Sequence, residues 1–104
     1  MAQWDVYENP SPRSRDELPY FVEVQSNLLA RLPTRFVVPL APRTAEQGLP
    51  KRMSPQFDIA GRKLLLVPQE AGPIEARNLR RPVATLRAQS HLIVDALDSV
   101  VSGV

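Results

Sequence analysis

The sequence predicts a small antiparallel α+β domain, with several strands followed by one terminal helix. Three observations carry this. Prolines recur every few residues from Pro10 to Pro82, and the last 22 residues have none. Proline ends helices and interrupts sheets, so the first four-fifths reads as short strands and turns. The apolar runs there are short and rich in β-branched and aromatic residues. The proline-free tail instead carries apolar residues at helical spacing.

In chain order, residues 4–7 form a first strand, with Trp4 and Val6 alternating against Asp5 and Tyr7. Residues 9–18 hold two prolines, two serines and four charges, which makes a solvated loop. Residues 20–25 (YFVEVQ) are the second strand, with Glu23 expected to face solvent. Residues 35–40 (RFVVPL) are the third; Pro39 has no N–H for a ladder, so an edge or a bulge is expected. Residues 41–54 are a polar connection with room for a small hairpin or a helical turn. Residues 56–59 and 62–67 form a hairpin through the two-residue turn Ala60-Gly61. Residues 74–79 make a last strand. The helix is expected over residues 83–101, with Thr85 as its N-cap and Leu86, Ile93, Leu97 and Val100 as one stripe. Gly103 suits the left-handed conformation that stops a helix.

Composition narrows the function classes. The 104 residues are expected to form a single domain, 1–104, with apolar residues at 43% and charged residues at 23%, a soluble globular balance. No apolar run is long enough for a membrane span, and residues 1–10 are too polar for a secretory signal. Cysteine is absent, which removes thiol catalysis and cysteine-ligated metals and fits a cytoplasmic home. His91 is the only histidine, so neither a multi-histidine metal site nor a Ser-His-Asp arrangement with a spare base can be built. On a helix His91 and Asp95 are one turn apart, and Asp95 and Asp98 share an edge; a solvated helix surface accounts for both. The four glycines form no phosphate loop. No metal or cofactor is implied.

Eleven of the thirteen basic residues are arginine, and the net charge is only +2. Arg77, Arg80, Arg81 and Arg87 occupy a window without an acid. They suit an acidic partner or a phosphate backbone, or simply a solvated connector; no neighbouring aromatic is at hand to stack bases. The tail Val100-Val101-Ser102-Gly103-Val104 is a compact apolar chain end, suited to docking on a second copy, on another protein or on the sheet.

The run Tyr20-Phe21-Val22-Glu23-Val24-Gln25-Ser26, then Leu28-Leu29, then Arg35-Phe36-Val37-Val38-Pro39-Leu40, resembles the CcdB toxins. Their strand reads "FVDVQS-x-aliphatic-aliphatic", followed some ten residues later by "R-aliphatic-V-aliphatic-PL". Pro55-Gln56-Phe57-Asp58-Ile59 is similar to their "P-x-aliphatic-x-I" strand, and Gly103-Val104 to their Gly-Ile terminus. The resemblance implies an SH3-like antiparallel β-barrel (CcdB/MazF-like) with a small extra sheet and a C-terminal helix. It implies the toxin of a type II toxin–antitoxin pair, often serving plasmid maintenance, that acts by binding and not as an enzyme. Such a toxin is a homodimer that binds the DNA gyrase A subunit and traps the cleavage complex as a topoisomerase poison. A CcdA-like antitoxin neutralises it through a disordered tail, and toxin and antitoxin together bind operator DNA for transcription regulation.

Carried over residue by residue, the gyrase contacts fall on Leu28, Leu29, Ser102, Gly103 and Val104. Arg13, Arg15 and Arg43 are placed as receivers of the antitoxin tail. One departure matters: Ser102 stands where the best-known member has a tryptophan before the terminal glycine. Losing an aromatic anchor costs about 2 kcal/mol, roughly thirty-fold in affinity. Two other readings stay open: a MazF-like endoribonuclease toxin on the same barrel, and an inactive homologue that only binds antitoxin.

Overall fold

The computed structural model describes residues 2–43 and 48–103. Among the described residues seven strands and one α-helix follow in order: β1 Asp5–Glu8, β2 Tyr20–Glu23, β3 Thr34–Pro42, β4 Gln56–Ile59, β5 Arg62–Leu66, β6 Gly72–Glu75, β7 Ala84–Thr85 and α1 Ser90–Ser102. The sheet is antiparallel throughout, in the order β4-β5-β3-β2-β1-β7, with β6 also on β3. It is nearly closed, barrel-like, and carries the helix C-terminally, which is the α+β SH3-like arrangement. The expected small extra sheet is the β4–β5 hairpin on the far end of β3, bonded into the same ladder.

Register explains the core. Val6, Val22 and Val38 are opposite one another on β1, β2 and β3, and all are fully buried. Leu40, Leu64, Leu66, Phe57 and Ile59 extend that layer along β3, β4 and β5. Ile93 and Ala96 of α1, with Leu86 ahead of it, cover it. The alternate residues point to the other face, where Tyr7 and Val37 are also buried. The period-two pattern is therefore apolar on both faces in the middle of the sheet.

Pro39 is not at an edge. It sits in β3, the strand with most neighbours, where β6 ends at Val37 opposite Gly72 and β5 begins at Leu40 opposite Leu66. Val67 N–H donates to the Pro39 carbonyl at 2.9 Å. The reciprocal bond would need a Pro39 N–H, so proline falls where one ladder stops and the next begins.

The helix is shorter than its sequence pattern. Ala84–Thr85 pair with β1, and Arg87–Gln89 make a single 3-10 turn, so α1 starts at Ser90. Thr85 is thus in a strand, and its Oγ1 accepts weakly from Arg87 N–H at 3.4 Å. The buried helix face is Ile93, Ala96 and Ser99; Val100 is exposed, and Leu86 is buried outside the helix. The last long strand is also displaced: β6 runs from Gly72 to Glu75, and Ala76–Asn78 form a 3-10 turn. The β4–β5 turn is as expected, with Ala60 at φ 52° and Gly61 at φ 79°, both in the left-handed region that two-residue hairpins require.

Candidate functional site

The β2–β3 connection begins where the strand ladder runs out. Ser26 caps a 3-10 turn over Asn27–Leu29, its Oγ accepting from Leu28 N–H at 3.2 Å. The turn lifts Leu28 to 93% exposure and Leu29 to 48%. Leu32 and Phe36 are exposed beside them in sequence, which makes this end of the sheet unusually apolar.

A buried polar network holds this loop in place. Arg35 donates to three backbone carbonyls: Leu32 at 2.6 Å, Ala30 at 2.9 Å and Thr34 at 3.1 Å. Gln25 Nε2 donates to the carbonyls of Leu29 and Thr34, and its Oε1 accepts from Phe36 N–H at 2.9 Å. Asn27 Oδ1 accepts from Gln3 N–H. The loop's carbonyls are therefore satisfied from inside, and its aliphatic side chains are left to face out.

Glu23 contradicts the sequence expectation of a solvent-facing position. It is only 3% exposed, with Oε2 3.6 Å from Arg35 Nε and Oε1 accepting from Tyr7 Oη at 3.3 Å. Burial pushes its carboxyl above the ordinary value of 4.5; Arg35, then the Tyr7 hydroxyl, pull it back in part. Burial also raises the Tyr7 phenol, and the Glu23 charge adds to that rise. Arg35 and Phe36 invert the usual rule: the arginine is 7% exposed and the phenylalanine 41%. Glu23 and Arg35 can meet because they lie on one face of adjacent strands, two residues out of register.

The other expected gyrase residues end the helix. Ser102 is exposed, and its Oγ donates back to the Asp98 carbonyl at 2.6 Å. Gly103 takes φ 72° and its N–H bonds the Ser99 carbonyl at 2.9 Å, a left-handed C-cap. Val104 lies outside the described residues. No hydrogen bond or ion pair among the described residues joins Leu28 and Leu29 to Ser102 and Gly103. On the helix surface Val94, Val100 and Val101 are exposed, the last at 87%. His91 and Asp95 are both exposed, with no hydrogen bond between their side chains.

The expected antitoxin residues are at the opposite end of the sheet. Arg13 and Arg15 belong to the β1–β2 loop, which antiparallel pairing places away from the Leu28 turn. Arg43 follows the end of β3, beyond the Tyr20–Leu40 pair, and so lies at the loop's end of the sheet. Arg13 and Arg43 are exposed. Arg15 Nε donates to the Asn9 carbonyl at 3.0 Å, and Arg15 lines a groove of about 1010 Å³ with Arg77, Arg80 and Arg81. Phe21 is in the same lining, an aromatic that the local sequence around those arginines does not contain. Only the register, which puts Phe21 on the face opposite Val22, reveals it.

Among the described residues no cluster of three His, Asp or Glu side chains is placed to hold a metal, and no helix is long and apolar enough to cross a membrane. A family model described as CcdB protein matches residues 3–103. No curated protein matches the chain.

Proposed function

The chain belongs to the CcdB family, toxins of toxin–antitoxin pairs, and from that premise we propose that it poisons DNA gyrase by binding the A subunit. The observation that carries the proposal is Leu28, an almost fully exposed leucine on a turn fixed from beneath by Arg35 and Gln25. A turn whose backbone is ordered before binding loses little backbone entropy on binding, which suits the presentation of an interface anchor. Leu29 accompanies it. Ser102, Gly103 and Val104 supply the second contact, from the helix end. The exposed valines Val94, Val100 and Val101 support a homodimer, in which a two-fold axis presents each contact twice.

Such a toxin needs no bond-making group. It prefers one state of its target and shifts the population toward the open cleavage complex. A CcdA-like antitoxin with an acidic tail neutralises it at the basic end of the sheet, where Arg13, Arg15 and Arg43 lie. Operator DNA is engaged through the antitoxin.

One observation favours a second reading, an inactive homologue that keeps only antitoxin binding. The Ser102 hydroxyl is turned back on the Asp98 carbonyl, so this position presents no ring and no free donor to a target.

Purified chain, gyrase and supercoiled plasmid test the proposal. Gyrase-dependent linear DNA is expected, and Leu28→Asp or deletion of residues 102–104 abolishes it. Intact DNA with antitoxin binding retained establishes the second reading. Cleaved messenger RNA with intact DNA replaces both with an endoribonuclease.

A further inference from the structure

We propose that Gln3 and Trp4 are positioning residues for target binding: they tie the turn that carries Leu28 to the segment that leads into α1, and so fix the spacing of the two contacts. Their role in binding rests on the gyrase reading. The tie itself lies in the backbone around residues 2–5.

That backbone carries a strained residue. Asp5 N–H closes a turn on the Ala2 carbonyl at 3.1 Å, and the Asp5 carboxylate accepts from Ala2 N–H at 3.1 Å. Trp4, the third residue of the turn, has φ 76°. Glycine or asparagine is ordinary in that region, and a bulky side chain there is an outlier. Such a residue persists only where its surroundings over-determine it, and such places cluster at binding sites and switches. Here the ring packs, partly buried, against the core. Trp4 N–H donates to the Glu23 carbonyl at 2.6 Å, and the Trp4 carbonyl accepts from Leu86 N–H at 2.8 Å.

The bend lays Gln3 beyond the end of β2. Gln3 N–H donates to Asn27 Oδ1 at 2.9 Å, and Gln3 Nε2 to the Val24 carbonyl at 3.2 Å. Asn27 is the first residue of the 3-10 turn, and Leu28 the second. On the other side Leu86 is buried, and its carbonyl accepts from Gln89 N–H at 2.9 Å, directly before α1. One short segment therefore joins the leucine turn to the helix entry. Arg35 and Gln25 act differently: among the described residues their side-chain hydrogen bonds stay within residues 25–36.

A target that grips both the leucine turn and the helix end takes away whatever freedom lies between them. A tie made in the free chain removes that loss beforehand. The helix is a rigid lever from Ser90 to Ser102, so fixing its entry fixes where its end is presented.

The test uses the full chain, which has no cysteine to compete with introduced labels. Nitroxides at Leu29→Cys and at His91→Cys, exposed on the first turn of α1, are diluted into unlabelled chain, and pulsed electron paramagnetic resonance reads the distance between them. Gln3→Pro removes the N–H and the side-chain amide while suiting the second position of a turn. Asn27→Ala removes the acceptor, and Asn27→Asp keeps it. Gln3→Pro and Asn27→Ala are each expected to widen the distance distribution at least about twofold, and Asn27→Asp to leave it narrow. In gyrase cleavage assays on unlabelled chain, each of the two weakens apparent affinity by about tenfold, and the double variant is no weaker than either. Circular dichroism verifies folding; should Gln3→Pro not fold, Asn27→Ala against Asn27→Asp decides. An unchanged distribution in Asn27→Ala overturns the proposal, because the Arg35 and Gln25 clamp then suffices. Losses that multiply in the double variant also overturn it, making Gln3 and Asn27 separate contacts with the target. A widened distribution in a chain whose wild type makes no cleavage complexes leaves the tie standing and removes the gyrase reading alone.

Discussion

Arg35→Met removes the buried end of the network while keeping most of the side chain's apolar stem. Three carbonyls lose a donor, and Glu23 loses its counter-charge. Breaking one side of a buried ion pair costs about 3–5 kcal/mol. Here the lower end applies, because burial already disposes the Glu23 carboxyl to hold a proton and Tyr7 still bonds it. Ala30 and Leu32 are exposed, so their carbonyls turn to water once freed. A loss of about 3 kcal/mol lowers the melting temperature by roughly 12–24 °C in a chain of this size. The double variant Glu23→Leu/Arg35→Met leaves no charge inside and is expected to recover at least about 1 kcal/mol relative to the sum of the single losses. Urea unfolding of the four proteins completes the cycle. Amide exchange over residues 27–34 should quicken in Arg35→Met, because that loop loses its inner clamp. A coupling energy below about 0.5 kcal/mol would show that Glu23 and Arg35 do not act as a unit.

Glu23 also sets a pH dependence. Its folded-state value is raised, so its contribution to stability is full below the ordinary 4.5 and is lost as pH rises through the raised value. The stability of the wild type relative to Glu23→Gln should therefore fall from pH 4 upward; a rise would mean that the Arg35 charge outweighs burial. Ala60→Asn places a residue that tolerates left-handed backbone at φ 52° and should stabilise the hairpin by about 1 kcal/mol in thermal unfolding, while Ala60→Val should do the opposite. Leu28→Asp should leave the unfolding free energy from urea titration within about 0.5 kcal/mol of wild type, since the side chain touches almost nothing, yet eliminate gyrase cleavage complexes. A large stability loss instead would make Leu28 a packing residue.

Strands were legible wherever local pattern sufficed. The β4–β5 hairpin carries its turn chemistry in Ala60-Gly61, and Gly103 marks the helix end at the correct residue. The helix start was not legible, because Leu86 falls in phase with Ile93 although it packs from a 3-10 segment. The polar core was hidden for a different reason. Taken alone, Glu23 and Arg35 are charged residues in strands, and solvent is their default. Only the pairing of β2 with β3 puts them within reach on one face, and that is a tertiary fact. Likewise Leu28-Leu29 was visible as an aliphatic pair, but not the clamp that keeps it outside. The arginine groove was half legible: Arg77, Arg80 and Arg81 cluster in sequence, whereas Arg15 and Phe21 arrive from distant strands and loops.

The proline in β3 divides labour along a single strand. Upstream of it, β3 is bonded to β6 and leads back to the leucine turn; downstream, it carries the hairpin and runs toward the arginine-bearing end. The pairing of β3 with β6 stops before its pairing with β5 begins, and β2 runs alongside both, paired from Val37 to Leu40. A slip or an insertion in the hairpin therefore meets a strand already pinned by β2, and it reaches the leucine turn only as far as that pairing lets it.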